Sequence, residues 1–354
     1  MRGLLLEKGN VFSTFTGAIP RGFRLCEISG GKVWSIMKKV LCIGSVTTDV
    51  MIKPVDHLPN PGALQFIDST AMFVGGCASN ASMDLAKLGV PVALCCKVGE
   101  DLFGNFVYDT CKATGVDVSG VVKDASVQTT TSIVCVNSEG ERSFLYNGGS
   151  TSAMVESDIP DRLLEECDII FLAGALLTHK LDGEPAARMF QKAQQMGKYT
   201  VMDTAWDPTG RWMEGVEAAL PYLDLFMPSI EEAEQIAGVS DIDAIADVFF
   251  SKGVKNVIIK AGNKGAYICE AGQPRYYAPT YMSVKPVDTT GAGDSFCAGF
   301  LAGLAQDLSY KRSAQLANAV GTHCITAMGA STGIKPLAEI EKFMQEHQDE
   351  IPLD

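Results

Sequence analysis

Asp294 stands directly behind Gly291, Ala292 and Gly293 in the run DTTGAGDSFCAGF, with the extended-reading stretch SVKPVD before it and an amphipathic pattern after it. That order predicts a strand-to-helix junction, with three residues of almost no side chain at a helix N-terminus. Unpaired backbone N–H groups converge there with the positive end of the helix dipole, so Gly291 to Gly293 form a pocket for an anion. One preorganised donor of this kind is worth about 2.7–4 kcal/mol in a transition state. A carboxylate beside that pocket can take the proton of a hydroxyl that attacks phosphorus, which contributes typically ~10²- to 10⁴-fold. Taken alone, Asp294 reads equally well as a helix cap.

Other phosphate motifs fit less well. No G-x-x-x-x-G-K-[ST] occurs, and in GAGDSF the third glycine of the dinucleotide fingerprint is replaced by Phe296, late in the chain. A nicotinamide enzyme is therefore a weak reading.

The elements that must position Asp294 alternate along the chain. KKVLCIGSV, VPVALCCKVG, DIIFLAG, YTVMDT, LDLFMPS and NVIIK are near-continuous apolar strand runs separated by helical patterns such as SNASMDLAKLG. Such a pattern predicts an α/β fold with a mostly parallel sheet covered on both faces. Two stretches, at about 62–74 and 128–147, instead alternate apolar and polar residues and predict antiparallel strands of a small sheet standing off the body. That sheet is expected to be a lid over a site, a dimerisation surface, or both. The last third is helical. Residues 1–36 show no sustained period and are expected to be a disordered extension, with a weak targeting or docking segment as the alternative.

Bulk composition narrows the partners. The net charge of −13 argues against nucleic acid and anionic membranes, yet backbone donors can still hold a small phosphate. The 11 cysteines are scattered, without C-x-x-C, which suggests a reduced, cytoplasmic protein without a zinc site. Cys42, Cys135 and Cys269 lie in apolar runs and are expected in the core. No run is long enough to span a bilayer.

DTTGAGDSFCAGF resembles the C-terminal signature of the ribokinase-like (PfkB) family of sugar and nucleoside kinases, and VGGCASNASMDLAKLG resembles its N-terminal Gly-Gly signature. CIGSVTTDVMI, VGEDLFG, GERSF, VIIKAGNKGA and ANAVG match further family segments in order, so the resemblance covers about residues 38–348. It implies a three-layer α/β/α ribokinase-like fold over 37–348 with a small β-sheet lid, and dimerisation through that lid. It also implies roles. Asp49, Gly75, Gly76 and Asn80 would hold sugar hydroxyls, Asp294 would be the base, and Gly291, Ala292 and Gly293 would stabilise the moving phosphoryl group. Lys260, Gly262, Gly265 and Asn318 would lie at ATP. Glu232 would reach Mg2+ through water, although the family's Asn-x-x-Glu has Ser229 in its first position here. Asp288 and Thr290, with Gly329 and Ala330, would hold K+.

The substrate implied is an unphosphorylated sugar accepting the γ-phosphate on a hydroxymethyl group. Cys77 replaces the lysine usual in ribokinases after the two glycines, and Ala173 and Gly174 occupy the region of their glutamate, so ribose itself is disfavoured. No cation lies near GGCASN to grip a sugar phosphate, although Arg142 from the lid could reach in. Phe66, Phe73 and Phe144 could stack on a base, which keeps an adenosine-type nucleoside kinase as the nearest alternative. A non-catalytic sugar or nucleotide sensor is the alternative of another class, and it would have no use for Asp294.

Overall fold

The computed structural model describes residues 23–28 and 31–353. Where an unstructured extension was expected, β1 (Phe23–Ile28) and β2 (Gly31–Ile36) pair antiparallel with each other and join no larger sheet. The rest of that extension, 1–22 and 29–30, lies outside the described residues.

The first half then runs β3 (Val40–Gly44), β4 (Thr47–Lys53), β5 (Ser69–Gly75), α1 (Cys77–Lys87), β6 (Val92–Gly99), α2 (Leu102–Thr114), β7 (Asp117–Asp124), β8 (Thr131–Val136) and β9 (Arg142–Asn147). Short helices α3 (Gly149–Ala153) and α4 (Asp161–Glu166) lead to β10 (Ile169–Ala175), α5 (Glu184–Gln195), β11 (Tyr199–Thr204), α6 (Met213–Val216) and β12 (Leu225–Phe226). The chain continues through α7 (Ile230–Ala237), α8 (Ile242–Ser251), β13 (Val257–Lys260), β14 (Ala266–Cys269) and β15 (Tyr276–Ala278), and closes with α9 (Ala292–Ala305), α10 (Tyr310–Cys324) and α11 (Leu337–Glu346).

Nine strands form the main sheet in the order β15-β14-β13-β12-β11-β10-β3-β6-β7, parallel from β7 to β13, with β14 and β15 added antiparallel at one edge. The apolar runs of β3, β6 and β10 are buried at every residue because both faces are covered. Side chains of period two divide them between two cores. Val40, Cys42, Leu94 and Phe171 pack with α1, α9 and α10 residues such as Leu85, Phe300 and Val320. Leu41, Ile43, Cys95 and Leu172 pack on the other face with Phe190, Ile236 and Phe249 from α5, α7 and α8. The three layers are thus written in the alternation of single strands. Cys42, Cys135 and Cys269 are buried as expected, and Cys77 is the one half-buried cysteine among those described.

The small sheet has the order β5-β4-β8-β9, with antiparallel outer pairs and a parallel β4/β8 pair at its centre. The prediction from alternation needs two corrections. Residues 62–68 form no strand, and β4, absent from the predicted sheet, supplies one of its two central strands. β4 follows β3 after only Ser45 and Val46, and Asp49 interrupts its apolar pattern, so it read as a continuation of the body motif.

The register decides which lid residues share a face, since paired residues point the same way. Asp49, Phe73, Ser132 and Tyr146 form one cross-strand row, and Met51, Ala71, Val134 and Phe144 form the next. Arg142, opposite Val136, lies further along the same face.

Candidate active site

Helix α9 starts with Gly291 at φ +79°, a left-handed N-cap that glycine adopts without strain. A Cβ there would sit 2.4 Å from the Ala330 carbonyl oxygen, so close backbone approach also demands glycine. The Ala292 N–H donates to Thr289 O at 3.2 Å, whereas the Gly293 and Asp294 amides find no backbone acceptor among the described residues. Residues 281–290 form no strand, so the helix follows a loop rather than the strand expected from SVKPVD, and its free donors run from Gly293 into Asp294, one residue beyond the stretch expected to hold an anion.

Lys260, at the end of β13, brings a positive charge close to this helix start. A Cβ on Gly293 would lie 3.5 Å from its Nζ. The ammonium pairs with Asp203 Oδ2 at 2.6 Å, a nearly inaccessible carboxylate at the end of β11, and the Cys297 thiol donates to the same oxygen at 3.3 Å. Burial works against the Lys260 charge, but Asp203 outweighs it and holds the amine above the usual lysine range.

Asp294 projects from the first turn of α9, and Asn80 Nδ2 donates to its Oδ2 at 2.8 Å. Asn80 Oδ1, also buried, has no hydrogen-bond partner among the described residues. The amide is oriented this way round because Nδ2, not Oδ1, donates to the Asp294 carboxyl oxygen. An acceptor left open beside Asp294 is what a substrate hydroxyl would satisfy.

The Gly-Gly pair explains how the lid approaches Asn80. A Cβ on Gly75 would lie 2.2 Å from Asp49 Oδ2, so the carboxylate of β4 lies across that glycine. Gly76 has φ +92°, and a Cβ on it would meet Val46 Cα at 2.6 Å. Burial raises the Asp49 carboxyl to about 6. Cys77 opens α1, its N–H donating to Ser45 Oγ at 3.0 Å, and burial keeps its thiol protonated. Phe73 and Phe144 lie on the Asp49 face, but Phe66 precedes β5 and is 89% exposed, so it does not join them.

Glu232 and Ser229 form a reciprocal cap of α7. Ser229 Oγ accepts from Glu232 N at 3.3 Å, and Glu232 Oε2 accepts from Ser229 N at 3.1 Å and from the Thr204 hydroxyl at 2.9 Å. Glu232 Oε1 stays free of hydrogen bonds among the described residues. No cluster of three or more His, Cys, Asp or Glu side chains able to hold a metal occurs among them. This fits an Mg2+ bound chiefly by phosphate oxygens and water, with Glu232 as a single carboxylate nearby.

Asn318 and Gly265 meet at one backbone segment. Asn318 Nδ2 donates to the carbonyls of Ala278 (3.0 Å) and Pro279 (2.9 Å), and a Cβ on Gly265 would lie 2.0 Å from the same Ala278 oxygen. Both shape a wall, and the Asn318 amide has its donors engaged there. Gly262, at φ +56°, opens the short turn before Gly265 and has open space where a Cβ would go.

Asp288 accepts from Thr290 N and Gly329 N, each at 2.9 Å, and pairs with Arg142 at 3.0 Å; Arg142 also donates to the Thr290 hydroxyl. Burial alone would raise the Asp288 carboxyl, but these donors outweigh it and hold it below the usual range.

Sequence reasoning missed Asp203 and Asp84. Asp84, on the buried face of α1, accepts from Ser295 Oγ at 2.6 Å and from the Ser331 hydroxyl, while Lys87 Nζ donates to Ser331 O at 2.5 Å. Burial raises Asp84 to about 7 against those hydroxyls. The network ties α1 to the residue after Asp294. Its one local signal was an aspartate on the apolar side of a predicted helix. A groove of about 640 Å³ between the start of α2 and the lid strands, lined by Leu102, Ile133 and Leu145 among others, contains none of the residues proposed for chemistry.

The profile of the pfkB family carbohydrate kinases matches residues 37–336. The chain belongs to this family. It is accordingly a sugar kinase, a phosphotransferase acting on sugar hydroxyl groups. Among its relatives, probable fructokinase-5 of Arabidopsis thaliana is 28% identical over 318 residues, 82% of this chain and 94% of the relative. The 2-dehydro-3-deoxygluconokinase of Bacillus subtilis is 26% identical over 294 residues, 80% and 90%. The fold is that of Arabidopsis thaliana ribokinase complexed with ribose and ATP (TM-score 0.77, 22% identity, 87% of this chain and 99% of that one). An E. coli protein assigned as ribokinase II, in complex with ATP and Mg2+, also has TM-score 0.77 at 24% identity, over 88% and 100%. Within the described residues, no helix is long and apolar enough to cross a membrane.

Proposed function

We propose that this pfkB kinase transfers the γ-phosphoryl group of ATP to a hydroxymethyl group of an unphosphorylated sugar, with Asp294 as general base. The observation that carries the reading is Asp294 held by Asn80 at the mouth of a helix N-terminus that Lys260 also faces. The sugar hydroxyls would be held by Asp49 from the lid and by the open Oδ1 of Asn80. The attacking hydroxyl would give its proton to Asp294, and the Gly293 and Asp294 amides with Lys260 would hold the phosphoryl oxygens. Mg2+ would supply charge neutralisation on the phosphates, with Glu232 beside it through water.

An unphosphorylated substrate is favoured because Arg142, the lid cation that could have gripped a phosphate on the sugar, pairs with Asp288. Cys77 adds only a neutral thiol. The aromatic face formed by Phe73 and Tyr146 in one row and Phe144 in the next favours a second reading, an adenosine-type nucleoside kinase, with the rings stacking on the base. ADP release measured with Mg2+ against free sugars, sugar phosphates and nucleosides separates the three. Turnover confined to a sugar phosphate, or no ADP from any acceptor, sinks the proposal.

A dimer through the lid also belongs to this reading, supported by exposed Leu64, Phe66 and Leu145. Light scattering that finds a monomer at working concentration would remove it.

A further inference from the structure

We propose that Arg142 is a positioning residue for phosphoryl transfer, supplying from the lid the positive charge that the Asp288 loop would otherwise take from a monovalent cation. The proposal rests on the kinase reading of the α9 pocket. Family resemblance placed K+ at Asp288 and Thr290, and the residues do not fit an ion there. Asp288 Oδ1 and Thr290 Oγ1, the side-chain oxygens this loop could offer such an ion, both face the Arg142 guanidinium, which puts a positive charge where the ion would sit. Asp288 Oδ2 accepts from Gly329 N. The Asp288 side chain is 1% exposed, so its charge needs a partner, and Arg142 is the cation among the described residues that pairs with it.

The loop in turn braces the anion pocket. Thr290 precedes Gly291, and Ala330, next to Gly329, is in contact with Gly291 so closely that a Cβ could not be inserted. A second lid residue reaches the same place, because a Cβ on Gly329 would lie 3.3 Å from Phe73 Cδ1. Arg142 and Phe73 come from β9 and β5, opposite edges of the lid. The loop behind the phosphate pocket is therefore complete only while the lid is down, and lid closure over sugar is transmitted to the phosphoryl site without an inorganic ion.

The test compares the full chain with Arg142→Gln and Arg142→Lys while tetramethylammonium chloride is exchanged for KCl at constant ionic strength. The melting temperature is read first, because it needs no substrate. Wild type is expected to show the same melting temperature and kcat in both salts. Arg142→Gln is expected to lose roughly 10- to 100-fold in kcat without K+, the scale of one charge-assisted hydrogen bond, with little change in KM for sugar. K+ should then raise its melting temperature and restore part of kcat, and Arg142→Lys should stay near wild type in either salt. Wild type that requires K+ overturns the proposal, as does Arg142→Gln that is unimpaired without K+ or impaired but indifferent to it. A wild type inactive on every acceptor would instead strike the kinase reading, and the melting series would still decide the role of Arg142.

Discussion

Two carboxylates approach the cleft from opposite sides, and they are held in opposite ways. Asp294, on the body, has a fixed donor in Asn80 and a helix N-terminus around it, backed by the Asp84–Ser295–Ser331 contacts. Asp49, on the lid, lies across a glycine in a four-stranded sheet whose neighbouring residues Phe144 and Met72 are largely exposed, and burial alone sets its acidity. On the proposed reading, the body holds its polar groups in place through one another, as transition-state stabilisation demands. The lid presents a mixed aromatic and polar row around Asp49, with its one described ion pair further along the face at Arg142, which suits selection among similar acceptors. On the proposed reading, chemistry belongs to the helices of the body and choice to the lid sheet.

The contrast can be broken at its strongest point first. Asp294→Asn should lower kcat by roughly 10²- to 10⁴-fold with little effect on KM for ATP or on stability, as steady-state kinetics and urea unfolding will show. An unchanged kcat would leave Asp294 as a helix cap. Lys260→Met should instead destabilise the body, by about 3–5 kcal/mol in urea unfolding, because Asp203 is left buried without its partner; Lys260→Met with Asp203→Asn should recover part of the loss.

Asp49 gives a pH test of the lid. Its folded pKa of about 6 lies above the unfolded value, so its contribution to stability is absent at low pH and turns unfavourable as pH rises through the interval between the two. Asp49→Asn should therefore raise the melting temperature at about pH 8 and lose that gain as pH falls toward about 4. The KM for sugar in wild type should rise below about pH 6, where a protonated Asp49 accepts fewer hydroxyl protons. A sugar KM flat across that range would detach Asp49 from the substrate. The smallest effect is expected from removal of residues 1–36, whose described strands pair only with each other; kcat should change by less than about two-fold.

Much of this was legible in the chain. The apolar runs of β3, β6 and β10 announced a covered parallel sheet, and TGAGD announced a helix start with unpaired amides, because both depend on residues adjacent in sequence. Asp203 could not be read from YTVMDT, since its partner Lys260 lies 57 residues on. Arg142 stood 148 residues from Thr290, and its charge suggested a substrate phosphate where the fold supplied Asp288. β4 escaped for a related reason: its lid partners β5 and β8 are separate in sequence, and only their pairing reveals its face. Local pattern carries elements; long-range polar pairs must be seen.

Gly76 is the single residue between β5 and α1, and four residues further on α1 presents Asn80 to Asp294. For anyone wishing to retarget this enzyme, that continuity rules out treating the lid as an interchangeable cartridge. A transplanted β5 would arrive with its own crossing at Gly76 and would tilt the helix that carries Asn80 to Asp294. Retuning has to proceed by substitution within the inward-facing row, leaving the joint as it is.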